Sequence, residues 1–264
     1  MSSFIELLEK CGQRPQSPLG FGAGARNDKG PPAIALIGRV MADALAADAE
    51  LAGGDVDALL VVVGKADKKT VRSVSKAAGK RLWGVQADGL DTEQLERLKE
   101  AGCDFVVLDP GTTSAAVLDD EDLGKFIPVD SKLEESVARA IHDLPIDGAL
   151  FGAEELLPLT VQKLIDLQLV RGLIDGPFIV SVPQEIGRGD LLALRNADVN
   201  GLVLDLSKSD KIATLREAIA GLPRRPSRLS SSSSPLVPHY GTAFSAPSHD
   251  HDDDADLGDD EPDF

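Results

Sequence analysis

Arg39 and Lys65 stand just past two consecutive short apolar runs, and Asp109, Asp130 and Asp205 close three later ones. Two cations brought together hold one carboxylate or phosphate, the arginine through its planar fork and the lysine as a point charge. Carboxylates brought together raise one another's pKa or require a hard cation such as Mg2+, which would polarise a substrate oxygen. The candidate assignments follow from these types. Arg39, Lys65 and Gln86 would bind a small anionic metabolite. Asp109, Asp130 and Lys65 would carry catalysis. Asp109, Asp130, Asp205 and Glu155 would hold a divalent metal. Each has a plainer alternative. Asp130 precedes a helix-like segment and Asp109-Pro110-Gly111 reads as a turn, so both carboxylates could cap backbone amides. Arg39 and Lys65 could each pair with a nearby acid on the surface.

Residues so far apart meet only if the chain between them brings them to one place. Eight short apolar runs do this: Ala33–Gly38, Asp57–Val63, Arg81–Gln86, Asp104–Asp109, Lys125–Asp130, Asp147–Gly152, Pro177–Val182 and Gly201–Leu206, with starts 21 to 30 residues apart. Helix-like segments fill the gaps. Asp91 to Glu100 has an acidic first turn and later basic residues, and Ser131 to Leu144 carries Leu133, Val137 and Ile141 at helical spacing. Strands alternating with helices imply parallel strands with right-handed crossovers, and eight units close a barrel. The expected fold is α/β, a (β/α)8 barrel over residues 33–223. A short helix and a Gly/Pro-rich loop precede it (1–32), and a Ser-rich, acidic, disordered tail follows (224–264). In the leading helix Ser3 and Glu6 fit a capping box, and Phe4, Leu7, Leu8 and Cys11 share a face suited to the open bottom of the barrel.

Every even-numbered run opens with, or directly follows, an Asp or Asn after a short turn: Asp57, Asp104, Asp147 and Asn200. They sit at the stability end of such a barrel and read as structural. At these turns, as in Ala101-Gly102-Cys103-Asp104, the chain resembles aldolase-type TIM barrels in general. That resemblance implies the fold, and chemistry at the carboxyl ends of the strands. It singles out no reaction.

Absences narrow the function. The loops after the last two strands begin Pro183-Gln184-Glu185 and Ser207-Lys208-Ser209, without the glycine-rich phosphate cradle common there. Gly20 to Arg26 is glycine-rich, but its spacing and its place before a strand argue against a dinucleotide site. No lysine ends strand six or seven, and the one histidine of the barrel, His142, lies in a helix, so His-based acid–base chemistry and a three-His zinc site are excluded. The net charge of −17, with nine acids and no Lys or Arg from His249 to Phe264, argues against nucleic acid. No apolar run approaches a membrane span, and two unpaired cysteines suit a reducing cytoplasm. Three functions remain. One is a metal-assisted lyase or isomerase acting on a small anionic metabolite. The second is a non-catalytic structural or partner-binding barrel. The weakest is an FMN-binding, oxidoreductase-like barrel. The leucine-rich sixth helix suits either a buried barrel face or a contact between subunits of a homo-oligomer.

Overall fold

The computed structural model describes residues 2–11, 32–48, 51, 54–152 and 156–223. The chain divides into two units, Met1–Ser227 and Arg228–Phe264, and the architecture below belongs to the first. Glu155, the Gly20–Arg26 segment and the Ser-rich and acidic tail lie outside the described residues.

The strands are β1 (Ala35–Met41), β2 (Ala58–Val63), β3 (Trp83–Ala87), β4 (Phe105–Val107), β5 (Gly124–Val129), β6 (Gly148–Phe151), β7 (Phe178–Ser181) and β8 (Gly201–Asp205). All pair in parallel with their sequence neighbours, and β1 pairs with β8, closing the expected barrel. The helices are α1 (Ser3–Lys10), α2 (Ala42–Ala47), α3 (Lys68–Ala78), α4 (Thr92–Glu100), α5 (Glu135–His142), α6 (Val161–Leu173), α7 (Arg188–Asn196) and α8 (Ile212–Ala220). After β4 the crossover carries a 3-10 turn, Ala115–Asp119, in place of an α-helix.

Period-two alternation divides the core in two. Leu36, Leu59, Val61, Trp83, Val85, Val106 and their equivalents face the helices. Ala35, Ile37, Leu60, Phe105, Val107, Phe126, Leu150, Ile179 and Val203 fill the barrel. Near the amino ends of the strands several inward positions are small. A Cβ on Gly84 would lie 2.5 Å from the Phe105 ring, and one on Gly148 would lie 2.7 Å from Phe126. The space this leaves is filled from below by α1. Phe4 stacks on Phe105 at 3.8 Å between ring centroids and tilts against Phe126 at 5.4 Å, with Leu8 and Cys11 buried beside it.

The cap of α1 lies one residue earlier than its sequence pattern indicates. Ser2, not Ser3, is the N-cap: its Oγ accepts from Ile5 N and donates to Asp104 Oδ2 at 2.6 Å. The reason is tertiary. The Asp104 carboxylate also accepts the amides of Ser3 (3.0 Å) and Phe4 (2.8 Å), so a strand end supplies what a capping box would have supplied. Glu6 accepts from Lys10 instead.

The other even-strand Asx residues act alike. Asp57 accepts from Leu36 N, Asp147 from Lys125 N and Asn200 from Phe178 N, and each donates its own amide back to the same residue's carbonyl. Asn200 Nδ2 also donates to Leu8 O at the end of α1. Asp57 receives both terminal nitrogens of Arg216 from α8, each at 2.6 Å.

Cys11 and Cys103 are free and buried, and burial pushes the Cys103 thiol up to about 12. The folded pKa is raised, so this neutral thiol contributes stability below about pH 9, which is lost as pH climbs toward 12. Neither cysteine is expected to react with Ellman's reagent in the native protein at pH 8, whereas two equivalents should react in urea. Rapid native labelling would contradict the packing around α1 and β4.

Candidate functional site

The carboxyl ends of the strands form the rim where barrel chemistry takes place. Parity decides which side chains reach the lumen. Arg39 follows Ile37 by two residues on β1, and Asp205 follows Val203 by two on β8, so both continue inward-facing rows. They are also register partners across the β1–β8 pairing that closes the barrel. Parallel neighbours lie about 4.8 Å apart, so the two side chains leave the sheet side by side. Arg39 is exposed and makes no hydrogen bond or ion pair with a described residue. Among the described strand residues it is the one cation on the inward parity.

Arg39 belongs inside a strand because β1 runs on to Met41, past the Gly38 expected to end it. Gly38 is needed there: a Cβ would lie 2.6 Å from the Leu206 side chain.

Gln86 continues the inward row of β3 after Gly84, in register with Val62 and Val107. Its Oε1 is buried and has no hydrogen-bond donor. A buried acceptor without a partner costs about 1–3 kcal/mol, so a donor brought by a ligand or a water would be bound there.

The three aspartates differ in what is left of their carboxylates. Asp109 has both oxygens engaged: Oδ1 accepts from Gly111 N at 3.0 Å and Oδ2 from Thr112 Oγ1 at 2.7 Å. The Thr112 hydroxyl, then the Gly111 amide, hold its carboxyl below the usual carboxylate range. Asp130 Oδ1 accepts from Lys132 N and Asp205 Oδ1 from Ser207 N, each at 2.8 Å, leaving the second oxygen of each without a described partner. The two also line different hollows. Asp205 borders a cavity of about 190 Å³ with Val182, Pro183, Gln184, Glu185 and Ser207. Asp130 borders a cleft between the ends of β5 and β6, with Lys132 and Glu134. Among the described residues no three His, Cys, Asp or Glu side chains are grouped as a metal set.

Lys65 follows Gly64 in the turn after β2, past Val61 and Val63, which face the helices. It is exposed and off the inward parity, so strand geometry does not bring it beside Arg39. The rim thus gathers Arg39, Asp205 and Gln86 on inward rows, keeps Asp109 in its own turn, and places Asp130 in a neighbouring cleft. Gln184 was not singled out from sequence. Its Nε2 donates to the Asp205 carbonyl, tying the β7 loop to the end of β8, and only the folded register reveals this.

No family model matches the chain, and no curated protein matches it in sequence. Solved structures match it in fold. Tryptophan synthase from M. tuberculosis, in its aminoacrylate-bound form, aligns with a TM-score of 0.53 at 14% identity, over 83% of this chain and 98% of that one. The tryptophan synthase A-subunit of Pyrococcus furiosus aligns with a TM-score of 0.52 at 9% identity, over 70% of this chain and 96% of that one. The likeness extends over nearly the whole of each neighbour and carries the architecture alone: the chain has the fold of a (β/α)8 TIM barrel.

Proposed function

We propose that the chain is a lyase- or isomerase-type barrel that takes a small organic anion at the carboxyl rim. Arg39 anchors the anion's carboxylate or phosphate, and Asp205 moves a proton beside it through its second oxygen. The Gln86 carbonyl oxygen accepts from a hydroxyl or amide of the ligand. The observation that carries this reading is Arg39: a cation with no partner among the described residues, on the lumen parity, in register with a carboxylate whose second oxygen has no described partner. The tryptophan synthase neighbours are enzymes on this fold, which supports catalysis by analogy.

The test begins with a thermal-shift screen of small carboxylates and phosphates. A ligand present at about 100 times its Kd adds about 2.7 kcal/mol. For any hit, Arg39→Met should weaken binding about tenfold to a hundredfold, the range of a charge-assisted hydrogen bond. In D2O, proton NMR should show deuterium entering a C–H bond of the bound anion, and Asp205→Asn should stop it while binding persists. A hit whose affinity is unchanged by Arg39→Met removes the assignment.

A second reading, a non-catalytic barrel that binds a partner, is favoured by one observation. Val161, Ile165 and Leu169 form an exposed apolar row on α6, while Leu167 and Val170 face the barrel. Stabilisation by an anion without proton exchange would select that reading.

A further inference from the structure

The distribution of positive charge is the feature the rim does not explain. Seven of the 27 Lys and Arg residues fall between positions 65 and 81, against one acid, in a chain of net charge −17. The structure winds most of this stretch into α3, where Lys68, Arg72 and Lys76 lie four residues apart on one face, with Lys69 beside them, all exposed. Lys68, Arg72 and Lys76 make no ion pair or hydrogen bond through their side chains with a described residue, and Lys69 has only the weak attraction of Asp67. The one acid, Asp67, is occupied as the N-cap, its Oδ1 accepting from Thr70 N at 2.7 Å. Cations on other helices are answered: Lys10 by Glu6, Arg97 by Glu93, Arg139 by Glu135 and Arg216 by Asp57.

Such an arrangement opposes the helix that carries it. Like charges four residues apart repel, and Lys68 and Lys69 open the helix at its positive dipole end. Carboxylates settling among them would remove both penalties. The face is also grooved. A hollow of about 250 Å³ runs between α3 and α4, with Val71 and Ala101 at its base, Lys68 and Arg72 on one wall, Arg97 on the other and Glu100 as its one acid. The Arg97 Nε–H has no acceptor among the described residues.

We propose that the α3–α4 face is a docking surface for an acidic polypeptide segment of a partner protein. At 1.5 Å per residue α3 is about 16 Å long, which an extended strand of roughly five residues matches. Charge complementarity selects an acidic occupant. Two other polyanions fit less well. Single-stranded nucleic acid binds by stacking on aromatic rings, and among the described residues no Phe, Tyr or Trp is an exposed large apolar side chain. A longer polyanion would also run over the acidic remainder of the chain. An anionic membrane needs apolar side chains beside the cations, and the exposed ones, Val161, Ile165 and Leu169 among them, are not on α3 or α4.

The test uses the full chain and a fluorescent ten-residue peptide of alternating Asp and Glu, read by anisotropy in low salt. The triple variant Lys68→Gln/Arg72→Gln/Lys76→Gln should weaken binding about tenfold or more, three exposed pairs being lost together. The reference triple Lys10→Gln/Lys132→Gln/Arg139→Gln changes net charge equally and should weaken it less than about twofold. Circular dichroism of both triples should match the parent, and α3 should gain stability once its repulsion is removed. Three results would overturn the proposal: no peptide binding, equal loss in the two triples, or tighter binding of a single-stranded oligonucleotide or of phosphatidylserine vesicles than of the peptide.

Discussion

Phe4→Ala is expected to cost about 3–5 kcal/mol of unfolding free energy, the range for deleting a fully buried phenylalanine. Phe4 is wholly buried, 3.8 Å from Phe105 and 5.4 Å from Phe126. The cavity cannot collapse easily, because the surrounding positions are backbone-close: a Cβ on Gly124 would meet Ile5 at 3.2 Å, and one on Gly201 would meet Leu8 at 3.1 Å. Urea denaturation followed by circular dichroism measures the loss. Leu7→Ala, at a half-buried position of the same helix, should cost clearly less. A Phe4→Ala loss below about 1 kcal/mol would mean that α1 does not close the end of the barrel.

The second large effect is expected at Asp57. Its carboxylate accepts two bonds from Arg216 and one from Leu36 N at 2.8 Å, with 13% of the side chain exposed. Asp57→Ala strands the Leu36 amide and the guanidinium together and should cost about 3 kcal/mol or more. Asp55, 3.7 Å from the Arg216 Nε, compensates only in part. The double variant Asp57→Ala/Arg216→Met should recover some of the loss, since it leaves no charge unpaired. Equal stability of the single and double variants would show that the guanidinium finds water instead.

The barrel was legible because its signal is repeated. Eight apolar runs, each followed by a polar, helix-forming stretch, overdetermine a parallel closed sheet even where single boundaries slip. The slips have local causes. β1 was read as ending at Gly38 because Gly and Arg interrupt the apolar run, yet the glycine is a packing requirement of Leu206 and the strand continues through Arg39. The α1 cap moved to Ser2 because Asp104, about a hundred residues away, takes the amides a local box would take. The crossover after β4 carries a 3-10 turn, which hydrophobic spacing alone does not distinguish from a helix.

Less of the site was legible. Position at a strand end named Arg39, Gln86, Asp109, Asp130 and Asp205, but what remains of each group depends on side-chain direction. Asp109 lies in a turn whose own Thr112 and Gly111 consume both oxygens. Lys65 shares the charge type of Arg39 and not its parity. The apolar character of α6 was visible, whereas its division into a barrel-facing side and an exposed side needed the helix to be placed.

The way α1 is held has a consequence for synthesis of the chain. Its start is fastened by Asp104, midway along the barrel, and its end by Asn200, just before the last strand. Phe4 can cover Phe105 and Phe126 once β4 and β5 are made, but the bond from Asn200 that holds the end of the helix waits for the last strand. The leading helix is therefore secured in two stages, and its second fastening ties the closed end of the barrel to the arrival of residue 200.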